Sequence, residues 1–549
     1  MLLRVPRSLL CVVSVLYLPL SAFSARVQRS DLVLPQGASV HRDAARQIFV
    51  DSYEAYKKYA FSHDDLRPIS KGFRDSRNGW GASIIDGMST MKIMGLDDYF
   101  DEAVKFASTI DFSRSKTPDL VSVFETSIRY LGGLLSAYEL SNQKHSILLD
   151  KAKQVADKLT FAWIDGNDLP YGHLNFTSQK PQITTSNIAE AGTLALEWMT
   201  LSKYTKDDQY RILGENALRK IAQLVPPLPG LAAQGLDPAN GGSFVGSLVT
   251  WGGGSDSYFE YLIKYARLTN TNDHIFADTW NTAVDTSSRV LRQVSSVGQH
   301  VYLGEWENGL VHPVSSHLAC FHGGNWILGG KLVGNDTVVQ LGLELVDACW
   351  NTYESTATGI GPETFRWIPQ GDNSAPPPDR ADFYQKHGFT IGSSYYMLRP
   401  EVLESNFHAY RVTGDNKYLD RAAKAIGSFK RFLSSPDVAG YTGVSDVNNP
   451  QSQRIDAMES FWFAEVLKYL YLTFDDPAHI SLDDYVFNTE AHPFRAPPAL
   501  DTYGTGMLRR EGADTFKTNT GPIPSVSQIP GVEEFQNLFD TSHLLREKL

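Results

Sequence analysis

The chain has 549 residues, 42% hydrophobic and 20% charged, which is globular composition and long enough for one large barrel or about three or four domains. Its formal net charge of −12 argues against a nucleic-acid partner, because phosphate binding needs clustered Lys and Arg. Aromatic residues make up 11%, and core filling is their default role, although such rings also stack on sugars.

At the N-terminus Arg4 and Arg7 flank the start of a short apolar run over 8–20, and Ala22-Phe23-Ser24 follows as a small-x-small cleavage site. This predicts a secretory signal peptide over 1–24, with an uncleaved signal anchor as the alternative. A linker is expected over 25–39. No other run is long enough to span a bilayer, so the expected product is soluble, in the ER or Golgi lumen or secreted.

From about residue 40 to 475, apolar residues recur at i, i+3, i+4 and i+7. Examples are "GASIIDGMSTMKIMGL", "VFETSIRYLGGLLSAYEL", "NIAEAGTLALEWMTLSKYT", "DSYFEYLIKYARLT" and "MESFWFAEVLKYLYLTF". Loops rich in Gly, Pro and Asn separate them. "YTKDDQY" (204–210) and "TGDNKYLD" (413–420) read as one helix link used twice, a sign of a helical-hairpin repeat. An all-α toroid of paired helices is the natural architecture. Cys11 falls in the leader, which leaves Cys320 and Cys349. In an oxidising compartment they predict one disulfide, with two buried thiols as the alternative. Asn175-Phe176-Thr177 and Asn335-Asp336-Thr337 are N-glycosylation sequons. The helical domain is bounded at 40–496. Residues 497–549, with prolines and polar runs, read as a tail, part disordered or draped over the surface.

Carboxylates gather at helix starts and on aromatic-rich faces. Glu125 and Arg129 share a helix face, as do Asp256 and Glu260, and Asp256 after glycines could cap its helix. Glu401 and Glu404 follow Pro400, Glu459 and Glu465 flank Phe461, and Glu190 opens its segment. Taken singly, each reads as a cap or a solvated face. Asp86, amid Ile and Met, should be costly to bury without partners. Together these acids would line a cavity suited to a hard cation and to hydrolysis by a paired acid and base.

At these residues the chain resembles the class I α-1,2-mannosidases, glycoside hydrolase family 47, over about 40–495. The resemblance rests on "NGWGASIIDGMSTMKIMGL", "SVFETSIRYLGGLLSAY", "AEAGTLALEW", "DSYFEYLIK", "HLACF", "TGIGPE", "LRPEVLES", "YRVTGD", "MESFWFAEVLKYLYL" and "FNTEAHP". It implies an (αα)7 barrel plugged by a C-terminal β-hairpin, with bound Ca2+ at the pocket floor. It also implies inverting hydrolysis of terminal α-1,2-mannose on high-mannose N-glycans by a monomer. On this resemblance Glu125 matches the general acid, Glu401 the general base, and Asp256 a third carboxylate of debated role. Which of Asp256 and Glu401 is the base stays open at this point. Thr489 matches the Ca2+ ligand, through its hydroxyl and carbonyl oxygens. Arg129, His317, Arg399, Phe461, Glu465 and Glu490 match glycan contacts. Asp86, Glu190, Glu404 and Glu459 are expected as further pocket acids, and Cys320 and Cys349 match a family disulfide.

Two residues before Asp256, where ER-type members carry an arginine, stands Gly254. This resembles the broader enzymes that trim Man9 towards Man5. A glycan-binding lectin on the same barrel is the alternative reading, but the whole "NTEAHP" motif and all three matched carboxylates favour the enzyme. His492 has no matched role and is expected to pack at the hairpin's exit.

Overall fold

A computed structural model describes residues 25–521. The signal peptide expected over 1–24, with Cys11, and the end of the tail at 522–549 lie outside the described residues.

Fourteen long helices alternate between two rings among the described residues. The inner ring holds α2 (Ala82–Ile93), α4 (123–140), α6 (188–205), α8 (Asp256–Thr269), α10 (Phe321–Leu332), α12 (Glu401–Thr413) and α14 (462–473). The outer ring holds α1 (Ala38–Ala60), α3 (Asp97–Thr109), α5 (Ser146–Leu159), α7 (Asp208–Gln223), α9 (Ile275–Val290), α11 (Asp336–Glu354) and α13 (Asn416–Phe432). Each inner helix packs on the next, and α14 packs back on α2, so the ring closes. The sequence dictates the two classes. In α2 every residue from Ala82 to Met91 is buried, as a helix apolar or small on all sides requires. In α13 only Tyr418, Leu419, Ala422, Ala425, Ile426 and Phe429 are buried, one stripe of an amphipathic helix.

The repeated link is one local structure. Lys206 (φ 62°) and Gly414 (φ 70°) each end an inner helix in the left-handed region. Asp207 and Asp415 then cap the following outer helix by accepting from the backbone N–H two residues on. The Cys320–Cys349 disulfide ties the start of α10 to its outer partner α11.

One end of the ring is closed by an antiparallel hairpin, β4 (Tyr485–Phe487) and β5 (Pro493–Arg495), in the register Val486 opposite Phe494. Short sheets of two to four strands decorate the barrel. The largest runs β1 (Ser186–Asn187), β2 (Gly235–Asp237), β3 (Ser243–Val245) and β6 (Thr518–Asn519), with β6 added in parallel to β3. Within the stretch read as a linker, Val27 is buried and its N–H donates to Asp483 Oδ1 at 2.7 Å.

Candidate active site

The inner helices all run the same way, and five of them place acids in their first turn at the same end. These are Glu125, Glu190, Asp256, the pair Glu401 and Glu404, and Glu465. The partial positive charge at each helix N-terminus favours these carboxylates there. A cavity of about 490 Å3 opens between them. It is lined by ten of the residues singled out in the sequence: Glu125, Arg129, Glu190, Asp256, Arg399, Glu401, Phe461, Glu465, Thr489 and Glu490. Gly254 also lines it, with φ 84°. Asp86, His317, Glu404 and Glu459 are buried behind this wall rather than lining it; Asp86 reaches it through Arg129 and His317 through Glu401.

Arg129 organises one side. Its Nε donates to Glu125 Oε2 at 2.6 Å, and its Nη1 donates to Glu490 Oε1, to Ser460 Oγ at 3.2 Å and to Asp86 Oδ2 at 3.5 Å. Its guanidinium also lies 5.6 Å from the centre of the Phe461 ring. Arg77 adds a second donor to Glu125 at 3.3 Å. Burial pushes the Glu125 carboxyl up, but the two arginines outweigh it and hold it at about 2. A π-helical turn over Thr126–Leu131 presents Arg129, and a second over Trp462–Val466 presents Glu465, the irregularity that often marks functional helices.

On the opposite side His317 Nδ1–H donates to Glu401 Oε2 at 2.6 Å, and Tyr353 Oη lies 2.7 Å from His317 Nε2. Burial raises Glu401, yet the bond from His317 brings it below its ordinary value. Arg399 Nε–H donates between the two carboxylate oxygens of Glu363, at 2.7 Å to Oε2 and 2.9 Å to Oε1. The residue before it, Leu398, sits at φ 66°, a strained conformation for a branched side chain.

Asp256 is different. It opens α8 rather than capping it, since Ser255 holds the cap position, and its Oδ1 accepts from Ser257 N–H at 2.8 Å. Burial, with Glu260 and Glu401 nearby, pushes its carboxyl to about 7. Of these three carboxyls, Glu125 and Glu401 are held ionised and Asp256 keeps its proton to near neutrality, while burial also raises Glu465 and Glu490 in the same wall.

The floor is the turn of the β4–β5 hairpin. Thr489 is half-exposed into the cavity, and its N–H donates to Tyr261 Oη at 3.3 Å. Asn488 anchors the turn. Its Nδ2 donates to Ile128 O at 3.0 Å and to Glu197 Oε1 at 2.7 Å, and its Oδ1 accepts from the N–H of Glu490 and His492. His492 is fully buried, as hairpin packing predicts, but it does more than fill space. Burial lowers it to about 4, so it is neutral at pH 7; Nε2–H donates to Asp86 Oδ1 at 3.2 Å, and Nδ1 accepts from Ser89 Oγ. Asp86 therefore has the partners its apolar setting demands: His492, Ser460 and Arg129. Burial alone would raise it, and these partners hold it below the usual range. Glu459 pairs with Arg74 at 2.5 Å, away from the cavity wall.

Sequence reasoning missed Arg77, Asn187 and Glu363. Glu363 ends the motif "TGIGPE" and Arg77 precedes "NGWG", so both stood beside motifs already in view; their partners are 36 and 48 residues away in the chain, which no local pattern reveals. Asn187 accepts from Glu190 N–H at 2.8 Å and lines the cavity, a helix-cap signal that was legible.

The profile of "Glycosyl hydrolase family 47" matches residues 48–496. The chain is 38% identical over 499 residues to the mannosyl-oligosaccharide alpha-1,2-mannosidase 1B of Aspergillus oryzae, covering 87% of this chain and 95% of that one. It is 40% identical to the mannosyl-oligosaccharide alpha-1,2-mannosidase of Penicillium citrinum, covering 84% and 92%. In structure it superposes on an alpha-1,2-mannosidase from Trichoderma reesei with a TM-score of 0.80 and 36% identity, over 84% of this chain and 99% of that one.

Proposed function

The chain belongs to glycosyl hydrolase family 47, and from that premise we propose that its cavity hydrolyses terminal α-1,2-linked mannose of high-mannose N-glycans with inversion, supported by Ca2+. The α-1,2-mannosidase activity itself follows from the family and its relatives. The observation that carries the finer reading is one cavity lined by Glu125, Asp256 and Glu401, with Thr489 on its floor. Inversion needs one carboxyl group to protonate the leaving oxygen and an ionised one to activate water on the opposite face. Glu401 suits the base, ionised and held in place by His317. The resemblance makes Glu125 the acid. Its arginine clamp, however, makes it an anion in the ligand-free protein, whereas of the three matched carboxyls Asp256 is the one that keeps a proton. Asp256 as the proton source is therefore a second reading, and the two predict different pH profiles.

The floor suits a hard cation. Thr489 offers a hydroxyl and a carbonyl oxygen, and the buried acids Glu465 and Glu490 share the wall with it. Thr489 would hold the ion directly, and Glu465 and Glu490 would orient its waters. When bound, Ca2+ would fix adjacent mannose hydroxyls against the floor. Phe461 supplies an apolar face for the sugar ring, and Arg129 and Arg399 supply donors to its hydroxyls. Gly254 leaves the cavity wall without a side chain, which supports trimming of Man9GlcNAc2 towards Man5GlcNAc2.

No helix among the described residues is long and apolar enough to cross a membrane. Residence in the secretory lumen or outside the cell, with glycans on the exposed Asn175 and Asn335, fits the expected leader. The deciding experiment is digestion of Man9GlcNAc2 by purified protein, read by mass. Stepwise loss to Man5GlcNAc2 is expected. A stop at Man8 overturns the broad specificity, and undigested Man9 overturns the activity. NMR of the first sugar released should show β-mannose. Excess EDTA should abolish turnover and Ca2+ should restore it; full activity in chelator removes the metal from the reading.

A further inference from the structure

The chain does not stop at the hairpin that closes the barrel. Residues 497–521 lie beyond the span matched by the family profile, yet they run in an ordered path up the outside of the ring. The path starts at the hairpin end. Arg267 and Asn270, at the C-terminal end of α8, donate to Pro497 O and Pro498 O at 2.8 Å each. Tyr503 is buried, and its N–H donates to Leu332 O at the end of α10. The path then climbs α9: Thr505 N–H and Oγ1–H donate to Asp278, and Arg509 N–H donates to Thr282 Oγ1. Arg509 Nη1 also donates to Ala222 O, at the end of α7. The path finishes at the cavity end, where the Phe516 ring lies 6.1 Å from that of Phe244 and β6 pairs with β3.

That last contact matters because of what the sheet carries. β3 pairs with β2 and β2 with β1, and β1 ends on Asn187, the cap of α6 that holds Glu190 in the cavity wall. The same wall is tied by Ile188 N–H to Gln234 O and by Ala189 N–H to Gly254 O. Gly235 sits so close to β3 that an added Cβ would lie 2.3 Å from Val245 O, so a shift in β3 is passed directly to β2. Without β6, β3 is an edge strand with unpaired backbone groups.

We propose that residues 497–519 are a brace that positions the Asn187–Glu190 wall and so sets the affinity for the glycan. The proposal rests on the mannosidase reading for its substrate, but not for its geometry. The acids Glu125, Asp256 and Glu401 stand on other elements, so loss of the brace should move KM rather than kcat. The test compares the full chain with chains ending at Gly521 and at Glu511, the latter lacking β6 and Phe516. The chain ending at Gly521 should match the full chain. The chain ending at Glu511 should raise KM for Man9GlcNAc2 about fivefold, the scale of one ordinary hydrogen bond, with kcat within about twofold. In the substrate-free protein it should also speed amide exchange at Ile188, Ala189 and Glu190. Phe516→Ser in the full chain should shift KM and exchange in the same direction by less, and serves if the truncation fails to fold. Unchanged KM and unchanged exchange overturn the brace, as does a loss of kcat at constant KM. If the full chain releases no mannose, the mannosidase reading falls, and the exchange data still decide the brace.

Discussion

Glu125 and Asp256 carry opposite electrostatics in one cavity, and this is open to measurement. If Asp256 supplies the proton, kcat falls as pH rises through about 7, where its carboxyl ionises. We expect Asp256→Asn to remove that alkaline limb and to lower kcat by roughly a hundredfold or more. Glu125→Gln should also lower kcat by that order while leaving the limb in place, because Glu125 is already ionised above about 2. A Glu125→Gln profile without the limb would instead assign the proton to Glu125 in the complex. Glu401→Gln should remove the water-activating base and lower kcat by about a thousandfold at unchanged Tm; wild-type turnover refutes the role. The acids were legible in the sequence because they sit at helix starts, where residue spacing and capping rules apply. Their charge states were not. Glu125 is held down first by Arg129, four residues on and visible in the helix spacing, but its second arginine, Arg77, and the His317 that holds Glu401 lie 48 and 84 residues from the carboxylates they hold.

At the level of elements, the helices and their links were the readable part. Apolar periodicity separates the wholly buried inner helices from the striped outer ones, and the Asp caps of α7 and α13 recur at like positions. The short strands were not readable, because two or three residues carry no alternation. The hairpin was found through its motif rather than its pattern. Its seating on α4 depends on a glycine that the sequence alone did not single out. A Cβ at Gly132 would lie 2.7 Å from Asn488 Nδ2 and 3.1 Å from His492 Cδ2, both in the turn that holds Thr489. Gly132→Ala should therefore push the turn away from α4, at a cost of about 1–3 kcal/mol. The expected readouts are a lower Tm and a higher Ca2+ concentration for half-reactivation after EDTA. Wild-type reactivation would show that the turn tolerates the shift. The Cys320–Cys349 bridge has a separate role: it closes a loop of 29 residues, so reduction should cost about 3–4 kcal/mol in the chain-entropy picture. Since neither cysteine lines the cavity, thermal melts with and without reductant should differ while KM stays constant.

For the whole molecule, converging acids on one pocket has a consequence for stability. Burial raises Asp65 and Asp256 to about 7 and Glu197 to about 8, whereas the unfolded chain ionises such groups near 4. Between those values the folded protein binds protons that the unfolded chain has lost, so these groups make stability fall as pH rises. Buried histidines oppose them. His322 and His408 are lowered to about 3 and His492 to about 4, against about 6.5 when unfolded, so they add stability as pH rises to about 6.5 and nothing beyond. Lys468, lowered to about 7, adds stability only above that value. Glu125, held at about 2, gains its contribution below about 4.5 and is constant above it. The acids are therefore least opposed between about pH 6.5 and 7, with Glu197 continuing towards 8. One group protonated in the fold and ionised in the unfolded chain is worth about 1.4 kcal/mol per pH unit. Burial also raises Glu404, Glu465 and Glu490 well above their ordinary values, so the raised acids outnumber the lowered histidines. In EDTA, Tm should fall from pH 5 to 8, most steeply just above about pH 6.5. A rising Tm across that window would mean that these carboxyls are ionised in the fold. Glu197→Gln should remove part of the drop: it keeps an amide oxygen for Tyr261 and loses the titrating group, although Asn488 must still find its acceptor there. Because Glu197 does not line the cavity, the variant separates the stability of the floor from the chemistry above it. A flatter pH–Tm curve with near-normal kcat is the expected result.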